Sequence, residues 1–118
     1  MAQPVAFFEV ISADPDRARK FYGELFDWQI SADPELGGYA LVDTGAGEDA
    51  VGGGIGASSA PGDAGLKIYV RVDDLEAYLA RAEALGGKRL VPPTPLPGDF
   101  GTIAVVADPD GNQVGLWA

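Results

Sequence analysis

The second half of the chain repeats the residue pattern of the first half at an offset of 60 residues, and this repeat limits the choice of fold most strongly. Each half reads as one strand, one helix and three further strands. The matched residues are Phe8 and Ile68, Val10 and Val70, Asp14 and Asp74, Leu25 and Leu85, Ile30 and Leu90, and at an offset of 61 Gly54 and Gly115, Ile55 and Leu116. One such half is too small to bury both faces of its own sheet, so the repeat predicts two paired βαβββ modules.

The two predicted helices begin at aspartate caps. Asp14 stands before Pro15, and Asp73 or Asp74 stands before Leu75. An aspartate accepts hydrogen bonds from the first free N–H groups of a helix, and proline is tolerated in the first turn. Apolar residues then recur at helical spacing: Ala18, Phe21, Tyr22 and Leu25 in the first helix, and Leu75, Tyr78, Leu79 and Ala82 in the second.

The end of the chain carries the clearest turn signal. In the run Asp108–Asn112, Pro109 suits the second position of a turn and Gly111 suits a left-handed backbone. Apolar runs at residues 103–107 and 113–117 flank this turn, so we predict a β-hairpin here.

Alternation along the last strand predicts which side chains share a face. Val114 and Leu116 point to one face of the sheet, while Gly115 and Trp117 point to the other. A glycine in mid-strand either leaves room for a neighbour or a ligand, or only relieves crowding in a curved sheet. Both interpretations of Gly115 stay open at this point.

Composition excludes several classes of function. The net charge is -10, from 18 acidic and 8 basic residues, which disfavours binding to nucleic acid. There is no cysteine for disulfides or zinc-thiolate sites, and no histidine to serve as a general base or metal ligand. No apolar run reaches membrane-spanning length and no signal peptide is evident, so we expect a cytoplasmic protein with no membrane partner. The acidic surface either attracts cationic ligands or only keeps the protein in solution.

Two segments of biased composition, one rich in glycine and one rich in proline, indicate structural roles rather than binding motifs. The glycine run Gly52–Gly56 lacks the lysine and serine or threonine of a phosphate-binding loop, so we predict a closely packed strand. The proline-rich run at residues 90–100 cannot form a helix or a central strand, and we expect an extended edge. That edge either places Phe100 at the rim of a cleft or shields the sheet from pairing.

Several short motifs, taken in order, resemble one known superfamily. They are Phe7-Phe8-Glu9-Val10, Asp14-Pro15-Asp16-Arg17-Ala18, Phe21-Tyr22, Leu25-Phe26-Asp27-Trp28, Tyr69-Val70-Arg71-Val72-Asp73-Asp74-Leu75 and Asp108-Pro109-Asp110-Gly111-Asn112. Together they resemble the vicinal-oxygen-chelate superfamily, the glyoxalase, bleomycin-resistance and dioxygenase group. The resemblance implies one α+β domain over residues 1–118, in which βαβββ modules at 4–57 and 66–118 pair into a curved mixed β-sheet that encloses a cleft.

The resemblance also implies where a metal would bind. Metal-using members take a histidine or glutamine, a glutamate, a histidine and a glutamate from the first and last strands of each module. Those positions fall on Phe7, Gly54, Lys67 and Gly115 of this chain. None of these residues supplies a side-chain ligand for a divalent metal at neutral pH, so we expect no metal and no cofactor.

Aromatic and charged residues remain on the predicted cleft face. The candidate ligand-binding residues are Phe7, Glu9, Trp28, Tyr39, Lys67, Tyr69, Arg71, Phe100 and Trp117. They suggest a metal-free homodimer that binds a cationic or aromatic small molecule, like the drug-sequestering members of the superfamily. One alternative is a lyase, isomerase or epimerase in which Glu9 is the base and Lys67 or Arg71 steadies an oxyanion. Another is a structural or interaction module, in which the aromatic rings fill the interior and Glu9 pairs with a cation.

Overall fold

The computed structural model describes residues 2–32, 34–45, 47–48, 50–60 and 62–118, and for Glu35 the backbone alone. The elements are β1 (Val5–Ser12), α1 (Pro15–Phe26), β2 (Gln29–Ala32), a 3-10 turn (Pro34–Leu36), β3 (Ala40–Asp43), β4 (Gly52–Ala57), β5 (Gly65–Arg71), α2 (Leu75–Ala84), β6 (Lys88–Pro95), β7 (Thr102–Ala107) and β8 (Gln113–Trp117). A strand, a helix and three strands thus occur twice in sequence. The predicted α+β class with two βαβββ modules is confirmed.

The chain divides into two compact units. The N-terminal unit is Phe7–Leu66, and the C-terminal unit joins the residues up to Ala6 with Lys67–Ala118. In the N-terminal unit the strand order is β2-β3-β4-β1, and in the C-terminal unit it is β5-β8-β7-β6. The first and last strands of each module pair in parallel, β1 with β4 and β5 with β8, while the other neighbours are antiparallel.

Both helices begin at the predicted aspartate caps. The Asp14 carboxylate accepts a hydrogen bond from the backbone N–H of Arg17 at 3.1 Å, and the Asp74 carboxylate accepts one from Ala77 at the same distance. Asp74 rather than Asp73 is therefore the second cap. No helix in the described part of the chain is both long enough and apolar enough to cross a membrane.

The core of the C-terminal unit lies between α2 and one face of its strands. Leu79 is fully buried and packs with residues from β7 and β8. The buried cluster consists of Val72, Leu75, Leu79, Ala104, Val106 and Leu116, with Val114 packed against it. The predicted alternation along β8 is confirmed for this face, because Val114 and Leu116 both contact the helix side.

The core of the N-terminal unit uses fewer residues of α1 than the sequence predicts. Ala18 and Tyr22 pack against a buried cluster of Val10, Ala40, Val42 and Ile55. Phe21 and Leu25, expected in the same stripe, are each 57 % exposed. They lie four residues apart on the neighbouring row of the helix surface, whereas Ala18 and Tyr22 pack against the buried cluster.

The hairpin between β7 and β8 is closed by the Asp108 side chain. Its Oδ1 accepts hydrogen bonds from the backbone N–H groups of Asp110 and Asn112, and its Oδ2 accepts one from Asn112 Nδ2, all at 2.9 Å. The side-chain bond from Asn112, followed by its backbone bond, lowers the pKa of the Asp108 carboxyl. Gly111 has a φ of 90°, the left-handed conformation that the turn requires.

The proline-rich run forms an edge strand. Among the described residues, β6 pairs with β7 alone, and its register shifts between Arg89 and Val91 and again between Val91 and Thr94. Proline removes backbone donors, which an edge position tolerates. The predicted extended edge is confirmed.

Candidate functional site

The ring of Tyr39 lies directly over the glycines of β4. A Cβ atom added to Gly54 would overlap the ring atoms Cε1 and Cζ and the hydroxyl oxygen of Tyr39, and one added to Gly56 would lie 2.8 Å from its Cδ2. The register of β3 and β4 places Leu41 opposite Gly54. Tyr39 precedes Leu41 by two residues, so its ring contacts Gly54 as a diagonal cross-strand neighbour. The glycine run is a closely packed strand, as predicted, because only bare backbone leaves room for this ring.

The ring of Tyr69 covers Gly115 in the same way. A Cβ atom on Gly115 would overlap Cδ1 and Cε1 of Tyr69 and lie 2.7 Å from its Cγ. Tyr69 is 7 % exposed, and it is the direct neighbour of Gly115 in the parallel pair of β5 and β8. Gly115 therefore leaves room for a neighbour, the first of the two interpretations left open, because the tyrosine ring occupies the space beside it.

Glu9 is a buried carboxylate held by Tyr39. It is 9 % exposed, and the hydroxyl of Tyr39 donates a hydrogen bond to Glu9 Oε2 at 2.6 Å. Its neighbours Phe8 and Val10 belong to the cluster that contacts α1, so Glu9 points to the opposite face of β1. Burial of a carboxylate requires such bonds, because an unpaired buried charge is strongly unfavourable.

The C-terminal unit carries two cations over aromatic rings. The guanidinium carbon of Arg71 lies 4.7 Å from the centroid of the Trp117 ring, and Lys67 Nζ lies 5.8 Å from that of Tyr69. Trp117 Nε1 donates a hydrogen bond to the carbonyl oxygen of Phe100 at 2.7 Å. Phe100 thus contributes its backbone to this arrangement, whereas the sequence suggested its ring.

Gly101 is a site residue that sequence reasoning missed. It has a φ of 86°, and a Cβ atom added there would lie 2.9 Å from Trp117 Nε1. Its lack of a side chain lets the indole reach the carbonyl oxygen of Phe100. The only signal in the sequence was a glycine between the proline-rich run and β7.

A family model described as a glyoxalase-like domain matches residues 7–117. The chain belongs to this family. The glyoxalase-like domain is also 30% identical over 114 residues to a protein provisionally named as the glyoxylase CFP32, in Mycobacterium bovis and Mycobacterium tuberculosis. That match takes in 90% of this chain but 42% of CFP32, so the domain spans less than half the length of that relative.

Solved structures confirm the fold that the resemblance implied. A glyoxalase/bleomycin resistance protein/dioxygenase superfamily member from Vibrio splendidus 12B01 has a TM-score of 0.63 at 16% identity, with 98% of this chain and 97% of that chain covered. Methylmalonyl-CoA epimerase from Mycobacterium tuberculosis has a TM-score of 0.64 at 19% identity, with 96% and 85% covered. At such identities the similarity establishes the fold and leaves the activity open.

The metal ligands of the superfamily do not fit this glyoxalase-like domain. Two of the four positions are Gly54 and Gly115, each covered by a tyrosine ring that takes the place of a carboxylate. The other two are Phe7, which has no donor atom, and Lys67, a residue type that offers hydrogen-bond donors rather than acceptor atoms. Within the described residues, no group of three or more aspartate, glutamate, histidine or cysteine side chains stands close enough to hold a metal ion.

The structure places the predicted site residues of the glyoxalase-like domain in three groups. Glu9 and Tyr39 form one group in the N-terminal unit, where alternation puts Phe7 on the same face of β1. The C-terminal group contains Lys67, Tyr69, Arg71, Phe100 and Trp117. Trp28 belongs to a separate aromatic cluster, in which its ring centroid lies 5.4 Å from that of Phe8 and 5.0 Å from that of Phe26. The ligand-binding role of all nine residues stays a prediction.

Proposed function

We propose that this glyoxalase-like domain binds a small organic molecule without a metal ion or other cofactor. The observation that carries the proposal is the tyrosine ring over each glycine at a ligand position, Tyr39 over Gly54 and Tyr69 over Gly115. These rings stand where acidic ligands would, and the half-buried ring of Tyr39 provides aromatic surface for the apolar body of a ligand. Charged groups lie beside both rings, Glu9 beside Tyr39 and Lys67 beside Tyr69, and such groups orient ligands in binding sites.

Tryptophan fluorescence tests binding directly. We expect a change in emission when cationic aromatic compounds, quinones or acyl thioesters are titrated into a Trp28→Phe variant, in which Trp117 is the remaining tryptophan. A bound ligand should also raise the melting temperature, because it stabilises the folded state alone. Elemental analysis of protein purified without chelator should find no stoichiometric metal.

A Trp117→Phe variant, which keeps Trp28, is the control and should show no change in emission. A tightly held divalent metal would contradict the metal-free proposal. If no compound changes the fluorescence or the melting temperature, binding fails and the structural or interaction module is favoured.

Proton transfer by Glu9 is the second candidate function, and its burial with a hydrogen-bonded Tyr39 favours it. The Glu9 carboxylate would take a proton from the carbon beside a carbonyl group. The C–H electron pair would form the new C–C double bond, the carbonyl π pair would move to oxygen, and return of the proton to carbon would complete the exchange or epimerisation. Methylmalonyl-CoA epimerase from Mycobacterium tuberculosis shares this fold, which supports the candidate by fold alone.

Deuterium exchange distinguishes this candidate from simple binding. If Glu9 is a base, an acyl thioester incubated with the protein in D₂O should lose its α-proton signal in NMR spectra faster than in buffer. General-base catalysis contributes about 10²–10⁴-fold, so Glu9→Gln should slow the exchange by at least about 100-fold. Glu24→Gln, at an exposed position on α1, is the matched control. Exchange no faster than in buffer would exclude this reaction for the substrates tried.

Self-association of the domain also stays a proposal. Phe21, Leu25 and Phe26 of α1 are more than half exposed, and such apolar side chains are suited to an interface between copies. Light scattering would give the mass in solution, and a monomer at all concentrations would contradict the expected homodimer.

A further inference from the structure

We propose that Arg71, stacked on Trp117, is an anion-binding group, and that the ligand is an aromatic carboxylate. The proposal rests on the binding function above and names the chemical class of the ligand. It departs from the expectation of a cationic ligand, which followed from the overall charge. Arg71 and Trp117 both belong to the C-terminal unit.

Arg71 carries an exposed positive charge at the end of β5. In the parts of the chain that the structure describes, no carboxylate forms an ion pair with Arg71, although acidic residues outnumber basic ones by 18 to 8. Arg89 shows the contrast, because Glu76 and Glu83 each approach it at 2.8 Å. Those two hydrogen bonds raise the pKa of the Arg89 guanidinium. Arg71 thus retains N–H groups for an external anion.

The aromatic ring beneath Arg71 is fixed in place. The indole of Trp117 is held by its hydrogen bond to Phe100, and the missing side chain of Gly101 leaves room for it. Arg71 and Trp117 are direct neighbours in the parallel pair of β5 and β8. The guanidinium carbon lies 4.7 Å from the ring centroid, and a guanidinium held over an aromatic ring keeps N–H donors for hydrogen bonds to a ligand. The donors are therefore oriented before a ligand arrives, which reduces the entropy lost on binding.

A carboxylate fits these donors best. The planar guanidinium fork matches the two oxygens of a carboxylate in a bidentate hydrogen bond. The Trp117 ring beside it provides aromatic surface for the rest of the ligand. The net charge of -10 repels anions at long range, but charges more than about 8 Å away are largely screened at physiological ionic strength. The nearest charge therefore determines the sign of the group that binds.

Three probes with one aromatic body test the inference: 2-naphthoate, 2-naphthamide and 2-naphthylmethylamine. Binding is followed by the two indole N–H signals in ¹⁵N NMR spectra, which the Trp28→Phe variant assigns. We expect 2-naphthoate to move the Trp117 signal at lower concentration than the neutral and cationic probes. We also expect Arg71→Gln to weaken 2-naphthoate binding at least about tenfold, because it removes the charge and the guanidinium fork that hold the carboxylate.

Two control variants distinguish the bidentate geometry of the Arg71 guanidinium from its positive charge. Arg71→Lys keeps the positive charge but loses the bidentate geometry, and should bind 2-naphthoate more weakly than the unaltered protein. Arg17→Gln removes an exposed arginine from α1 of the other unit and should leave the affinity unchanged. Equal melting temperatures without ligand would show that each variant is folded.

The possible failures can be told apart. If Arg71→Gln binds 2-naphthoate as tightly as the unaltered protein, or if the amine binds more tightly than the carboxylate, the anion inference is wrong and the binding function stands. If no probe of any charge moves an indole signal or raises the melting temperature, while the wider panel also gives no response, the binding function fails as well.

Discussion

Replacing Gly115 with alanine is expected to lower the free energy of unfolding by about 1–3 kcal/mol, the usual cost of overfilling a packed site. The added methyl group would overlap the Tyr69 ring, including Cγ at 2.7 Å. Rotation of the ring about the Cβ–Cγ bond leaves Cγ where it is, so that rotation cannot relieve the overlap with the methyl group. Glutamate at this position would add a crowded carboxylate, so Gly115→Glu should be less stable still and should not acquire a metal. Urea unfolding should show a lower midpoint with an unchanged slope.

Gly52 of β4 provides the matched control. A Cβ atom there would meet its nearest neighbour, the carbonyl oxygen of Val42, at an ordinary 3.7 Å, so Gly52→Ala should change stability little. In a Tyr69→Val background, which lacks the ring, Gly115→Ala should lose most of its cost. A cost for Gly115→Ala no larger than that for Gly52→Ala would refute the steric explanation.

Replacing Tyr39 with phenylalanine is expected to lower the free energy of unfolding by about 1.5–3 kcal/mol, the range for hydrogen bonds to charged groups. The substitution keeps the ring over Gly54 and removes the hydroxyl that donates to Glu9 at 2.6 Å. Glu9 is too buried for water to replace that donor readily. Urea unfolding at neutral pH measures the loss.

Tyr22→Phe is the control for the loss of a tyrosine hydroxyl. The Tyr22 ring stacks on Trp28 with centroids 5.9 Å apart, and its hydroxyl makes no hydrogen bond within the described residues. Removing that hydroxyl should therefore cost little. Equal losses in the two variants would mean that the bond to Glu9 contributes nothing specific to stability.

Features governed by local chemistry were predictable from the sequence. The caps at Asp14 and Asp74 and the turn at Gly111 depend on a few neighbouring residues, and all three are confirmed. The α1 stripe was partly wrong, because periodicity identifies an apolar side of a helix but not which row of that side meets the sheet. Phe21 and Leu25 therefore remain exposed although their spacing is helical.

For the candidate site, the sequence predicted only which side chains share a face of a strand, because this follows from alternation. Alternation correctly placed Gly115 and Leu116 on opposite faces of β8, and it placed Glu9 and Phe8 on opposite faces of β1. It could not show that Tyr39 crosses to Gly54, because a diagonal contact depends on the register of β3 and β4. Alternation also left the role of Gly115 open, because its neighbour Tyr69 is set by the register of β5 and β8.

The rings over Gly54 and Gly115 also restrict how this sequence can evolve. A carboxylate ligand at either glycine requires two substitutions, glycine by glutamate and tyrosine by a smaller residue. The first change alone overfills the site, and the second alone leaves bare backbone beneath a void, where loss of a large aromatic side chain costs about 3–5 kcal/mol. Each single step therefore passes through a less stable protein, so the two positions are epistatic. A four-ligand metal site of the superfamily's kind would require such a pair in both modules as well as changes at Phe7 and Lys67, and the present packing opposes each of the single steps.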